Sequence, residues 1–172
     1  MATSIPSNLN PLSPNGFQFS ITKLPDVTFH CQQVNLPGIN LGEPAFSTPF
    51  STQPVPGDTL QYDPLTVQFL VDENMTNYKT LYNWIVALGF PESYQQYING
   101  AATDTIAYSD LSKNYSDATL QILDSNNQAI QTMQFYDVFP TTIDSMTFAS
   151  TNDDVNYVVA SVTFKFGWFK IL

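Results

Sequence analysis

The chain has 172 residues, of which 43% are hydrophobic, and sets fifteen carboxylates against five lysines, for a formal net charge of −10 at pH 7. No arginine is present. Polyanion binding needs clustered cations, and the arginine fork grips phosphate and guanine bidentately, so this composition excludes a nucleic-acid reader. The length suits one domain with a real core. Charged residues make up only 12%, leaving a surface of Asn, Gln, Ser and Thr that suits contact with other subunits.

Residues 1–16 (MATSIPSNLNPLSPNG) hold three prolines among small polar residues and read as an amino-terminal arm ahead of one domain over 17–172. Phe17, Phe19 and Ile21 alternate with polar neighbours, the period of a half-buried strand. After a turn at Leu24-Pro25-Asp26, Val27 to Val34 is expected to be a second strand, closed by Leu36-Pro37-Gly38. From Ile39 to Gly57 prolines recur at 44, 49, 54 and 56, and proline cannot donate to a sheet ladder. This stretch reads as a long hairpin projecting from the core. Its Phe46, Pro49, Phe50 and Val55 are candidate subunit contacts.

Leu65, Val67, Phe69 and Val71 share one face of a central strand that runs into a helix. Met75, Tyr78, Leu81, Tyr82, Ile85 and Leu88 are spaced as its core face, with Asn74 as N-cap and Gly89 with Pro91 as its stop. Residues 92–117 read as loop with a short helical turn at 92–98. Ala118–Leu123 and Ile130–Phe139 form a hairpin across Asp124-Ser125-Asn126-Asn127, ended by Pro140. Asn156 to Ile171 reads as one closing strand with its even positions, Val158 through Trp168, on the core. The expected fold is mainly β: an antiparallel sandwich or barrel of roughly seven or eight strands, one flanking helix and the proline-rich hairpin.

The residues offer little for catalysis. The one histidine, His30, adjoins the one cysteine, Cys31, and in a strand the two side chains point to opposite faces, which disfavours a dyad. Cys31 reads as a structural thiol. Asp72-Glu73 suits a helix start and Asp153-Asp154 a polar loop, while Asp104, Asp110 and Asp117 lack calcium-loop spacing, although together in one loop they could hold a cation weakly. No metal, cofactor or enzymatic activity is expected. No apolar run approaches the ~20 residues of a membrane helix, and no secretory leader pattern opens the chain. A soluble protein made inside the cell, without membrane insertion, is therefore expected.

Three blocks carry a resemblance: NGFQFSI with VTFHCQQVNLPGI, YDPLTVQFLVDENMTNYKTLYNWI, and FYDVFPTTIDSMTF with VNYVVASVTFKFGWFKI. In order and pattern they resemble the tail tube proteins of T4-like, contractile-tailed bacteriophages, a tube-forming superfamily shared with type VI secretion tube proteins. The resemblance implies hexameric rings that pool strands into a barrel and stack into the inner tail tube. Double-stranded DNA would pass through the lumen without specific binding during ejection, lumen-facing positions being left unassigned. It also implies sheath and baseplate proteins as partners, and a place in the virion tail after assembly in the host cytoplasm. The proline-rich arm and the long 92–117 loop depart from a minimal tube subunit and leave a baseplate tube initiator or tail terminator ring as the alternative. A carbohydrate-binding β-sandwich, resting on aromatics and carboxylates alone, is a more distant one.

Overall fold

The computed structural model describes residues 12–47, 49–102, 114–149 and 157–172. Most of the expected arm, residues 1–11, lies outside the described residues, as do 103–113 of the expected loop and 150–156 before the closing strand.

Eleven strands and three helices are described. The main sheet follows the order β1-β8-β9-β10-β7-β2, every pairing antiparallel. In chain order its strands are β1 (Phe17–Ile21), β2 (Cys31–Val34), β7 (Leu65–Leu70), β8 (Ser116–Leu123), β9 (Ala129–Ile143), β10 (Val159–Lys165) and β11 (Trp168–Ile171). β9 spans 15 residues and serves both halves of the sheet. Its first part lies between β8 and β11, and its last residues pair with β10. The change of partner follows Asp137, whose φ of 57° puts it in the left-handed region that bends a strand. The path does not close into a barrel, for β1 and β2 are its two ends.

Alternation decides what each half buries. Phe19, Ile21, Ala118, Leu120, Met133 and Phe135 come from one half, and Leu65, Val67, Phe69, Ala160, Val162 and Phe164 from the other. Full burial of each large apolar side chain stabilises by about 1.5–3 kcal/mol, so this shared core holds the halves together. At the β8–β9 turn the Asp124 carboxylate accepts from the N–H groups of Asn126 (2.8 Å) and Gln128 (2.9 Å), and Asn127 sits at φ 58°. A short Asx side chain and a left-handed asparagine are what a tight hairpin needs.

Four expectations about the bounds and kinds of elements need correction. Val27–Val34 is not one strand: α1 (Pro25–Phe29) precedes β2. Pro25 in the first turn has a φ suited to a helix and Asp26 meets its positive end. Thr28 Oγ1 then donates to Leu24 O (3.2 Å) and accepts from Ile21 N–H (3.2 Å), tying this turn to β1. Pro140 does not end β9, because it sits opposite Phe164 where the register shifts, and a bulge asks for no ladder donor there. The closing strand is two strands. Gly167 separates them, so Trp168 turns outward while Phe169 packs against the core. The fourth correction is α3 (Tyr94–Ala102), where a loop with one short turn was expected.

α2 (Thr76–Gly89) begins without an Asn74 cap, since Met75 holds the cap position at φ 54° with no side-chain hydrogen bond. Asp72 and buried Asn77 start it instead. Asn77 N–H donates to the Asp72 carboxylate (3.3 Å), and Asn77 Oδ1 accepts from the N–H groups of Tyr78 (2.8 Å) and Asp72 (3.4 Å). Asn77 Nδ2 also donates to Leu70 O (2.7 Å), tying the helix to the end of β7. Desolvation works to raise the Asp72 pKa, but hydrogen bonds from the Asn77 and Thr76 N–H groups and the Thr76 hydroxyl outweigh it and hold the carboxyl below its usual 3.8. A depressed carboxylate contributes stability above about pH 4 and loses it as pH falls through the folded-state value. Asp72→Asn is therefore expected to be less stable than wild type at pH 7 and to converge with it below pH 3 in urea titrations. A gap that stays constant with pH would show that the ionised form is not favoured.

The expected hairpin is present in two pieces. β3 (Ile39–Leu41) pairs with β6 (Leu60–Tyr62), and β4 (Ala45–Ser47) with β5 (Thr52–Pro54). Prolines interrupt the ladder between them, and two glycines bring the backbones together, Gly57 N–H donating to Gly42 O at 2.7 Å. A Cβ on Gly57 would collide with that Gly42 carbonyl. Gly57→Ala is expected to cost about 1–3 kcal/mol locally, as overpacking does. Amide exchange should quicken at Gly42 and Val55 and stay unchanged in β7 and β8; unaltered exchange at both hairpin amides would refute the close approach.

Candidate assembly surface

The hairpin is rooted firmly and covered poorly. At its base the Tyr62 ring lies 5.6 Å from Phe166 and 5.5 Å from Phe169, and both pack on buried Phe135, at 5.2 and 5.3 Å. Edge-to-face and tilted rings of this kind add about 0.5–1.5 kcal/mol per pair beyond burial. Farther out, Phe46 is 61% exposed, Phe50 99% and Val55 44%, with Pro49 also exposed. Ile39, Leu41 and Leu60 extend the same exposed apolar run toward the root. The tip, Pro44 to Gly57, carries no charged residue. All four hairpin positions picked out as subunit contacts therefore stand in solvent on an extended arm. Large apolar side chains left this exposed are uncommon together on the surface of a lone soluble domain.

The helix candidates separate. Leu81 is buried, Tyr78 and Leu88 pack against the core, Met75 and Ile85 are half-buried, and Tyr82 is exposed. The buried stripe runs instead through Asn77, Leu81, Trp84 and Ala87. Asn77 and Trp84 were missed because a polar asparagine at the helix start does not count as core-facing, and leaving it out rotates the stripe. The spacing 77, 81, 84, 87 carries the signal once Asn77 is admitted. Tyr82, Phe90, Tyr94 and Ile98 leave a second apolar patch across α2 and α3, where the Tyr94 and Tyr97 rings stack at 5.4 Å. On β11, Trp168 stacks on Tyr136 at 4.1 Å with Lys170 Nζ 4.8 Å from its centroid.

His30 does not lie in a strand; it closes α1, with Nδ1 3.0 Å from Asp26 O. Burial pushes the Cys31 thiol up to about 11, against the lowering effect of its contact with the Gln33 backbone, so the sulfur stays protonated near neutrality and is a poor nucleophile. Asp104, Asp110, Asp153 and Asp154 lie outside the described residues, and Asp117 is exposed on β8. None of the described carboxylates is buried, and none falls on the hairpin tip.

The open path ends leave a groove. It is lined by Phe17 of β1, Gln32, Gln33 and Val34 of β2, Leu120 and Ile122 of β8, Leu36 and the segment 12–16. Among the described residues β1 and β2 each pair on one side only, and edges of that kind beside a cleft can pair with another chain.

This arrangement of arm, open sheet and single long helix can be set against known proteins. The family described as phage tail tube protein matches residues 4–171. The chain belongs to that family. The tail tube terminator protein of Enterobacteria phage T4 is 28% identical over 150 residues, covering 84% of this chain and 77% of the relative. The tube-terminating cap of the anti-feeding prophage superposes with a TM-score of 0.67 at 15% identity, covering 100% of this chain and 99% of the cap. The sheath/tube terminator of the PVC extracellular contractile injection system gives 0.65 at 17% identity, covering 95% and 97%. The two superpositions establish a shared fold. Tail tube family proteins are structural components of the phage tail, so this chain is a tail component of the virion.

Proposed function

We propose that this tail tube family protein forms the terminator ring that closes the phage tail tube. The observation that carries the reading is the relative itself: 28% identity across 84% of the chain is to a protein called a tail tube terminator. The stacked repeating ring expected from sequence becomes the second reading, and the baseplate tube initiator a third. Copies assemble into a hexameric ring through the exposed hairpin and the free sheet edges. The ring contacts the end of the tube, with sheath and baseplate as the other tail structures it works among. DNA crosses the ring without specific binding, since a chain of net charge −10 without arginine repels polyanions. The protein has no catalytic role, and assembly takes place in the host cytoplasm. The family assignment weighs against a carbohydrate-binding sandwich.

Negative-stain microscopy with sedimentation of the purified protein tests this directly. Discrete single rings are expected at all concentrations. Hollow filaments lengthening with concentration would restore the repeating tube subunit, and a strictly monomeric protein would remove both readings.

A further inference from the structure

Glycine follows asparagine at two places in the chain, Asn15-Gly16 and Asn99-Gly100, and the fold treats them in opposite ways. With no Cβ on the glycine, its main-chain nitrogen is open to approach by the asparagine side chain before it. Gly100 is buried inside α3, where the helical ladder engages its N–H, and Asn99 Oδ1 accepts from Gln95 Nε2 (3.2 Å). Asn15 stands instead in the turn it makes with Pro14 ahead of β1, and it is exposed. Among the described residues, neither its carboxamide nor the Gly16 N–H meets a hydrogen-bond partner. Gly16 is held in place for another reason. A Cβ there would come within 2.8 Å of Leu123 O, and the Gly16 carbonyl accepts from Leu123 N–H (2.9 Å). The close approach of β1 to β8 thus demands the glycine, and the reactive pair comes with it.

We propose that Asn15 is a site of spontaneous deamidation, which adds a negative charge to the turn before β1. The reaction needs only water. The Gly16 nitrogen, its proton lost to solvent base, attacks Asn15 Cγ. A C–N bond forms, the Cγ–Nδ2 bond breaks and ammonia leaves, closing a succinimide. Water then adds to either succinimide carbonyl and opens the ring to aspartate or isoaspartate at position 15. Nitrogen and Cγ have to be brought together for the attack, which an exposed turn with a free N–H allows and a helix forbids until it opens. Both products place a carboxylate among the groove's lining residues, all of which are otherwise uncharged. The chain already carries a net charge of −10, so the new charge adds to the repulsion of any acidic surface brought to this place. Isoaspartate does more. It inserts a carbon into the main chain directly before Gly16 and displaces the carbonyl that holds Leu123 N–H.

Ageing the purified full chain in warm, mildly alkaline buffer tests this. Cleavage after lysine puts Asn15 on the peptide ending at Lys23 and Asn99 on the one ending at Lys113. Mass spectrometry with fragmentation reads amide-to-acid conversion at each position, and isoaspartate methyltransferase labelling reads the isomer. In folded protein, conversion at Asn15 is expected to be about tenfold faster than at Asn99 or more, since α3 has to open before Asn99 can react. In urea the two rates are expected to converge. Asn15→Gln, which would have to close a larger ring, should stay unconverted over the same period. Equal rates at the two positions in folded protein, or an Asn15 that stays intact, would overturn the proposal. Amide exchange at Leu123 should also quicken in the aged, isoaspartate-bearing sample and stay slow in Asn15→Asp, whose main chain is unaltered. Equal protection in the two would refute the effect on the start of β1.

Discussion

Phe50→Asp is expected to abolish ring formation while leaving the monomer's unfolding midpoint unchanged. Phe50 is 99% exposed, so it contributes nothing to the monomer's core. Surface substitutions of that kind stay within about 0.5 kcal/mol. In an interface the balance reverses. Burying the phenyl ring contributes about 1.5–3 kcal/mol, and burying an unpaired carboxylate costs about as much again or more. The sum weakens each contact by roughly a thousandfold or more. The loss repeats at every contact around a closed ring, and the added charge falls between copies that already repel. Phe50→Tyr keeps the ring face and should still assemble. Sedimentation velocity at matched concentrations reads the difference directly. Rings of Phe50→Asp with normal abundance would remove the hairpin tip from the assembly surface.

The largest effect on stability is expected from Phe135→Ala, a loss of about 3–5 kcal/mol in denaturant unfolding, as for other large buried aromatics. Phe135 is fully buried and lies against both Phe166 and Phe169. Those two rings also hold Tyr62 at the hairpin root. The cavity should therefore loosen the hairpin as well as the core, and limited proteolysis between residues 39 and 62 should accelerate before global unfolding. Tyr62 is half-buried in two ring pairs, so Tyr62→Ala should cost about 1–3 kcal/mol, less than Phe135→Ala, yet speed hairpin cleavage comparably. If Phe135→Ala unfolds with an unaltered hairpin cleavage rate, the aromatic cluster does not anchor the arm.

Where the chain alternates with a period of two over a buried face, its strands could be read directly. β1, β7 and β8 are of this kind, since burial of alternate residues imprints itself on sequence whatever the neighbour is. The hairpin was legible for the opposite reason: prolines forbid a continuous ladder. The second strand, the Pro140 stop and the single closing strand were misread where a local signal had to be weighed against a partner not yet known. Pro25 could start a helix or a turn. Pro140 is tolerated because β9 itself bulges at Thr141 beside it, and Gly167 divides a strand because β9 bends at Asp137. The helix stripe was misplaced for the same reason. Asn77 is buried because Leu70 O and Asp72 sit where its amide can reach them.

By itself the sequence determined the class of the molecule: β-rich, acidic, without arginine, carrying a neutral proline-bound arm of exposed aromatics. Those features follow from composition and from periods of a few residues, which need no knowledge of the fold. Only the tertiary structure decided which strands are left at the ends of the sheet, that α1 is tied back to the end of β1, and that the groove beside those strands is lined by uncharged residues. Such facts depend on pairing between residues up to about a hundred positions apart, as between β1 and β8. No local pattern encodes a distant partner, because the hydrogen-bonding edge of a strand is backbone and is the same for every sequence.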